Sequence, residues 1–247
     1  MSNRELRWAD LSWPELERAA TQRSVALFPF GAIEEHGPHL VLGADWHAAD
    51  EFGRRVAEAA DLLLLPALPY GQVWSLGDFP GTLSLRSETL ISLVADVGAG
   101  LVQAGVRGVV LLSCHLGNMA PLKEASRRLA EKSLASLSLF YPGVKQVAAS
   151  VRTTPELAAD ILHADEIETS ILLELAPEDV AIERAVAEWP DLPEDLLSTP
   201  EHWRAFAPSG VFGDPTAASK EKGALIMGAV EHRALELIAS WRERHNF

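Results

Sequence analysis

Three of the eight histidines fall within twelve residues, in Gly31-Ala32-Ile33-Glu34-Glu35-His36-Gly37-Pro38-His39-Leu40-Val41-Leu42-Gly43-Ala44-Asp45-Trp46-His47. The stretch follows an apolar run, Val25–Phe30, so its polar side chains gather where a strand ends. Glu34 and His36 are two apart and point the same way in extended backbone. Gly37-Pro38 turns the chain and can bring Asp45 back toward them. Two carboxylates and an imidazole converging in this way suit a borderline divalent ion such as zinc or manganese. Taken one at a time, Glu34 and Glu35 read as solvated loop acids and Asp45 as the cap of a helix starting at Trp46. It is the density of the set that points to metal.

Two further segments carry the same residue types. Ser113-Cys114-His115-Leu116-Gly117-Asn118 also follows an apolar run, which lets His115 enter the same site. A lone histidine at a strand end is more often a hydrogen-bonded structural residue. Cys114 reads as a buried small hydrophobe rather than a nucleophile. Leu162-His163-Ala164-Asp165-Glu166-Ile167-Glu168-Thr169-Ser170 opens an apolar helix, where Asp165 and Glu168 have capping-box spacing. Read alone, that segment needs no metal.

The elements that must position these residues alternate short apolar runs with longer amphipathic stretches, the pattern of repeated strand-helix units. Strands are expected at Val25–Phe30, Leu62–Leu68, Val109–Cys114 and Leu137–Tyr141, apolar without strict alternation as in a parallel sheet covered on both faces. Helices are expected at Pro14–Thr21, Trp46–Ala60, Ser87–Ala104, Pro121–Lys132, Glu166–Leu175 and Lys220–Arg244. Ser87 reads as an N-cap, Thr154-Pro155 as a cap and first helical position, and Gly105 and Gly108 bracket a turn into a strand. Loops 31–45 and 69–85 follow strand ends, the usual place for ligands in an open α/β sheet. Residues 191–215 read as an irregular excursion, too apolar for a linker, so one domain is expected over 1–247.

The 247 residues carry 21 Lys and Arg against 35 Asp and Glu, a net charge of −14. That balance disfavours nucleic acid and anionic membranes as partners. A single cysteine excludes an intrachain disulfide. The N-terminus has no apolar signal region and no apolar run approaches a membrane span, so a cytoplasmic location is expected.

Together the segments resemble the creatininase family of metal-dependent amidohydrolases, in chain order and over nearly the whole length. Glu34 to Asp45 is similar to the family's G-S-x-E-Q-H-G-P-H-L-P-L-x-x-D signature. Gly77–Ser84 resembles its F-P-G-T segment, and His115 with Gly117-Asn118 its G-H-G-G-N. His163–Ser170 resembles H-A-G-x-x-E-T-S, and Gly210–Pro215 with Glu221-Lys222-Gly223 resembles the C-terminal G-V-x-G-D-P segment. The resemblance implies a three-layer α/β/α fold around a mostly parallel sheet. It implies a homo-oligomer, often a hexamer. It also implies two divalent ions, Zn²⁺ foremost with Mn²⁺ or Fe²⁺ as alternatives. Glu34, Asp45 and His115 would hold one ion. His36, Asp45 and a second carboxylate would hold the other, with Asp45 bridging. In creatinine-hydrolysing members that second carboxylate can come from the position of Gly117. Here the role passes to Glu168, and His163 becomes the proton shuttle. A shared hydroxide would then attack a small-molecule amide, cyclic amide or formamide.

Three departures bear on the substrate. Glu35 replaces a Gln, Cys114 and Leu116 replace glycines around His115, and the segment Gly71–Asp78 differs from that of the creatinine enzyme. Trp74, Trp189 and Trp203 are candidates for an alternative lid. Creatinine is therefore a doubtful substrate. The alternatives are trimming of a modified peptide precursor and a non-catalytic metal-binding protein on the same fold.

Overall fold

A computed structural model describes residues 3–157, 162–196 and 198–247. Among these residues, four parallel strands form one sheet in the order β2-β1-β3-β4: β1 (Val25–Phe30), β2 (Leu63–Leu64), β3 (Gly108–Ser113) and β4 (Ala135–Phe140). β1 and β3 are buried at every position, as continuous apolar runs in a twice-covered parallel sheet must be.

Among the described residues, seven α-helices cover the sheet: α1 (Trp13–Gln22), α2 (Ala44–Ala60), α3 (Ser87–Gln103), α4 (Met119–Glu131), α5 (Val144–Val151), α6 (Glu166–Leu175) and α7 (Lys220–His245). Side-chain alternation along β1 separates two cores. Val25 and Leu27 pack with α2, α5, α6 and α7. Ala26, Phe28 and Phe30 pack with α1, α3 and α4. The result is the expected three-layer α/β/α arrangement.

Several boundaries differ from expectation for identifiable reasons. The run Leu62–Leu68 pairs as a strand only at Leu63–Leu64, because the ladder slips by one residue: Leu65 N donates to Leu27 O at 2.9 Å, but the next bond, to Pro29 O, comes from Leu68 N at 3.0 Å rather than from Ala67. Pairing with β1 resumes at a single bridge between Phe30 and Leu68. β3 starts and ends one residue early. β4 begins two residues early, at Ala135 opposite Gly108, since edge pairing recruited polar residues that hydropathy discounts. α3 starts at Ser87 itself, with Arg86 at the N-cap and no side-chain cap bond. α5 was not expected; its entry is set by Gly143 at φ 84°. Residues 152–157 are not helical, and Thr154 instead donates its hydroxyl to Glu166 at 2.6 Å. The rest of a helix opening at Pro155 would lie outside the described residues. Gly105 does take a positive φ, 92°, at the turn before β3.

Candidate metal centre

The site sits at the carboxyl edge of β1 and β3. Beyond β1 the chain runs extended through Glu34 and His36, held by a bond from Glu34 N to Leu42 O (2.9 Å) and a bridge between Ile33 and Leu83. Glu34, Glu35 and His36 are all buried, so neither acid is a solvated loop residue. Asp45 lies in the first turn of α2, whose N-cap is Gly43, and makes no capping bond. Its carboxylate is aimed elsewhere. His115 follows β3, and Glu168 comes from the first turn of α6.

These five side chains converge, and two groups of three hold ligand atoms close enough for a single ion: Glu34, Asp45 and His115, and His36, Asp45 and Glu168. Asp45 belongs to both. Its Oδ1 lies 3.4 Å from His36 Nε2, and its Oδ2 lies 3.1 Å from His115 Nδ1. Glu34 Oε2 is 3.0 Å from the same His115 nitrogen, and Glu168 Oε2 is 3.7 Å from His36 Nε2. A further close group joins Glu34 and His36 to His163.

The outer ring nitrogens fix the inner ones. His115 Nε2–H donates to the carbonyl of Gln72 at 2.8 Å, which turns the Nδ1 lone pair toward Glu34 and Asp45. His36 Nδ1–H donates to the carbonyl of Glu34 at 3.2 Å and leaves Nε2 facing Asp45 and Glu168. This is the outer-shell pattern of metal-binding histidines. Asp45 Oδ2 is buried and, despite its nearness to His115, lacks the alignment of a hydrogen bond. An orphaned carboxylate oxygen there is costly unless a cation meets it. The donor set fits divalent metal.

The electrostatics agree. Burial opposes the imidazolium of His36, but Asp45, Glu168 and Glu34 outweigh it and hold its pKa well above the usual value. Burial likewise opposes protonation of His115, and Glu34 and Asp45 outweigh it. Burial, with Asp45 beside it, pushes Glu168 up to about 7. Burial raises Asp45 too, but His36 and His115 carry it far below the usual carboxylate range.

Glu168 has a second partner. Asp165 caps α6 by accepting from Ile167 N (2.9 Å) and Glu168 N (3.0 Å). Glu168 Oε2 accepts from Ala164 N at 2.6 Å rather than from the N-cap amide, so the capping box is only half made. Ala164 takes a left-handed φ of 52° to present that N–H.

His163 lies 4.5 Å, centroid to centroid, from the His36 ring and 3.0 Å through Nε2 from Glu35 Oε1. Burial and His36 lower its pKa, yet Glu35 carries it above the ordinary value. Glu35 is itself pinned by Gly37 N at 3.0 Å and fills the space beside Gly210, where an added Cβ would lie 1.8 Å from Oε2. The sequence read Glu35 as a solvated loop acid and an exchanged residue; its pairing with His163 spans 128 positions and has no local signal.

A cavity of about 200 Å³ opens onto Glu34, Asp45, His115, His163 and Glu168. Trp74 and Trp203 line it, and Trp74 stacks on His202 at 4.3 Å. Trp189 does not line it; it is partly exposed on the outer excursion. Leu116 lines the mouth and stays 46% exposed. At Gly117 an added Cβ would meet Gln72 O at 2.3 Å and His115 Nε2 at 2.5 Å, so this backbone excludes a side chain there. Of the other motif histidines, His39 bonds Thr169 Oγ1 at 2.9 Å and burial drops its pKa to about 4, while His47 pairs with Asp179. Cys114 is buried and burial pushes its thiol pKa up, against a nucleophilic role.

A three-layer α/β/α fold whose buried carboxylates and imidazoles lie close enough to hold a metal ion defines a class: proteins built to bind divalent metal. Residues 9–238 match the creatininase family, described as creatinine amidohydrolase. The chain belongs to the creatininase family. It is 34% identical to the creatinine amidohydrolase of Pseudomonas putida over 236 residues, covering 88% of this chain and 90% of that protein. It is 32% identical to the mycofactocin precursor peptide peptidase of Mycobacterium ulcerans over 227 residues, covering 87% and 84%. A crystal structure of creatinine amidohydrolase superposes with TM-score 0.83 at 30% identity, covering 95% and 97%. A creatininase mutant of Zn-Zn type and a manganese creatininase superpose at 0.82 and 0.80, each 29% identical and covering 97% and 98%.

Proposed function

We propose that Glu34, Asp45 and His115 bind one divalent ion and His36, Asp45 and Glu168 a second, and that the pair serves hydrolysis of a C–N bond in a small amide, cyclic amide or formamide. The observation that carries this is the division of Asp45, with one carboxylate oxygen in each group and Oδ2 without a hydrogen bond. The zinc and manganese forms of related structures support divalent metal. Bound there, such ions would lower the pKa of water and polarise an amide carbonyl.

The chain's own groups supply the rest. His163 lines the cavity and is the candidate to deliver a proton to the departing nitrogen. Glu35 stabilises its charged form from 3.0 Å. Trp74 and Trp203 shield the reaction from water, and the products are a carboxylate and an amine. Creatinine itself is disfavoured, because Gly117 carries no carboxylate and cannot accept a side chain without displacing Gln72 or His115.

Peptide trimming is the second reading, favoured by 32% identity to a precursor peptide peptidase. We take residues 1–247 to act as one domain within a homo-oligomer. The exposed Val41, Leu42 and Ile182 beside the Leu40–Val180 bridge support an interface. Among the described residues no helix is long and apolar enough to cross a membrane.

The deciding experiment pairs elemental analysis with a substrate panel of creatinine, lactams, formamides and short peptides. About two ions per chain and turnover of a small amide are expected. A metal-free protein with no affinity on titration would overturn the reading.

A further inference from the structure

The connection between α6 and α7, residues 176–219, carries only 3₁₀ turns of three residues in its described part. An irregular connection of that length inside a compact domain is usually functional. One of its turns, Trp203–Ala205, reaches the donor cluster. Trp203 lines the cavity and sets its ring T-shaped to His163, with 6.5 Å between centroids. Phe212 packs on the same imidazole at 5.8 Å and on Trp203 at 5.0 Å. Three rings therefore meet, while Glu35 holds the Nε2 corner of the imidazole.

Phe212 is tied in place by its own backbone, whose N–H donates to the His163 carbonyl at 3.3 Å. Trp203 is held from a different side, because both its neighbours grip residues 74–79. His202 stacks on Trp74 at 4.3 Å and brings Nδ1 to 4.0 Å from Asp78 Oδ1. Arg204 Nη1 donates to the Asp78 carbonyl at 3.0 Å, and its guanidinium carbon lies 5.3 Å from the centre of the Phe79 ring. The indole between them packs on Ala32, Val73 and Leu76. The gripped segment is itself anchored. Gln72 N–H donates to Asn118 Oδ1 at 3.0 Å and Val73 N–H to Ser84 Oγ at 2.9 Å, while the Gln72 carbonyl orients His115. His202 and Arg204 are exposed, so their contacts add little to the core. What they fix is the residue between them.

We infer that His202 and Arg204 are positioning residues: gripping residues 74–79 on either side of Trp203, they seat the indole against His163 and hold that imidazole in place. This rests on the amide-hydrolase reading, in which His163 delivers the proton, and adds two residues that touch no reacting atom. A general acid must stay within hydrogen-bond reach of the departing nitrogen, and small displacements cost rate steeply.

The test is a mutant cycle on zinc-reconstituted protein. One variant cuts the grip with His202→Ala and Arg204→Ala together, a second is Trp203→Ala, and a third combines all three. Two quantities are read. The first is kcat and KM for the best-hydrolysed amide. The second is the rate at which diethyl pyrocarbonate labels His163, mapped by mass spectrometry against the exposed His232 as internal reference. Cutting the grip should lower kcat about tenfold or more, with KM changed less than about threefold. It should raise His163 labelling at least about fivefold. In the Trp203→Ala background the same cut should change either quantity by less than about twofold. Losses that simply multiply across the cycle would make His202 and Arg204 general stabilisers of the loop and overturn the inference. So would kcat or His163 labelling unmoved by the cut. If no amide is hydrolysed at all, the amidohydrolase reading falls, while the labelling cycle still decides whether the grip seats Trp203 on His163.

Discussion

Asp45 carries the most at the scale of single residues, because it stands in both groups of donors. Asp45→Asn should lower the metal content below one ion per chain and cost at least the ~10–100-fold associated with losing an outer-shell partner. Retention of two ions would refute the bridging role. Glu168→Gln separates two functions that share one oxygen. The amide oxygen can still accept from Ala164 N, so the melting temperature should hold, while occupancy by the second ion should fall. Full occupancy with an unchanged melt would leave Glu168 a helix-start residue only. How much of the site was legible divides at this scale. Glu34, His36 and Asp45 were readable from their density after a predicted strand, whereas His115 and Glu168, each with an ordinary structural role when read alone, joined the set only through the resemblance to the creatininase family. The pairing of Glu35 with His163 and the anchoring of His115 by the Gln72 carbonyl were not legible. Both are long-range contacts, and the second uses a backbone atom that every residue possesses.

Among the elements, residues Thr153 and Thr154 are clamped against the start of α6 and α7. Glu166, at the start of α6, accepts from the backbone N–H and hydroxyl of Thr153 and Thr154 and pairs with Lys222 of α7. Burial raises its pKa, but Lys222 and the threonines outweigh this and bring it from 4.5 to about 2. A carboxyl depressed on folding contributes stability above its unfolded pKa and loses it as pH falls. The clamp should thus be fully effective above about pH 4.5 and fade toward pH 2, a loss on the order of 3 kcal/mol. Glu166→Gln should flatten that acid limb of a chemical-denaturation profile measured against pH. An unchanged slope would show that the carboxylate is not held in its charged form. The helices of this region were legible because α6 and α7 are long and capped. α5, with eight residues, offers too few turns for periodicity, and β2 was overestimated because an apolar run does not reveal where its register with β1 slips, here between Leu65 and Leu68.

Across the whole molecule, four separate segments bring acidic and imidazole groups into one buried space, and this sets the cost of an empty centre. Without metal, His36 and His115 hold protons more tightly than usual, because Asp45 and its neighbouring carboxylates overcome their burial. Groups raised on folding stabilise the protein below their unfolded pKa, and that contribution disappears as pH rises through the folded value. The metal-free protein should therefore lose stability from about pH 6.5 upward. Divalent ions require both imidazoles neutral, so binding should expel roughly two protons at neutral pH. The same linkage stabilises the folded state by about 2.7 kcal/mol per ion at a hundredfold excess over Kd. Chelation should accordingly lower the melting temperature more at pH 8 than at pH 6, and Zn²⁺ or Mn²⁺ should restore it. Titration calorimetry in buffers of different ionisation enthalpy counts the protons. Metal binding that releases none would mean that His36 and His115 are not displaced from their carboxylates, and that the two-ion assignment fails together with the bridging role of Asp45.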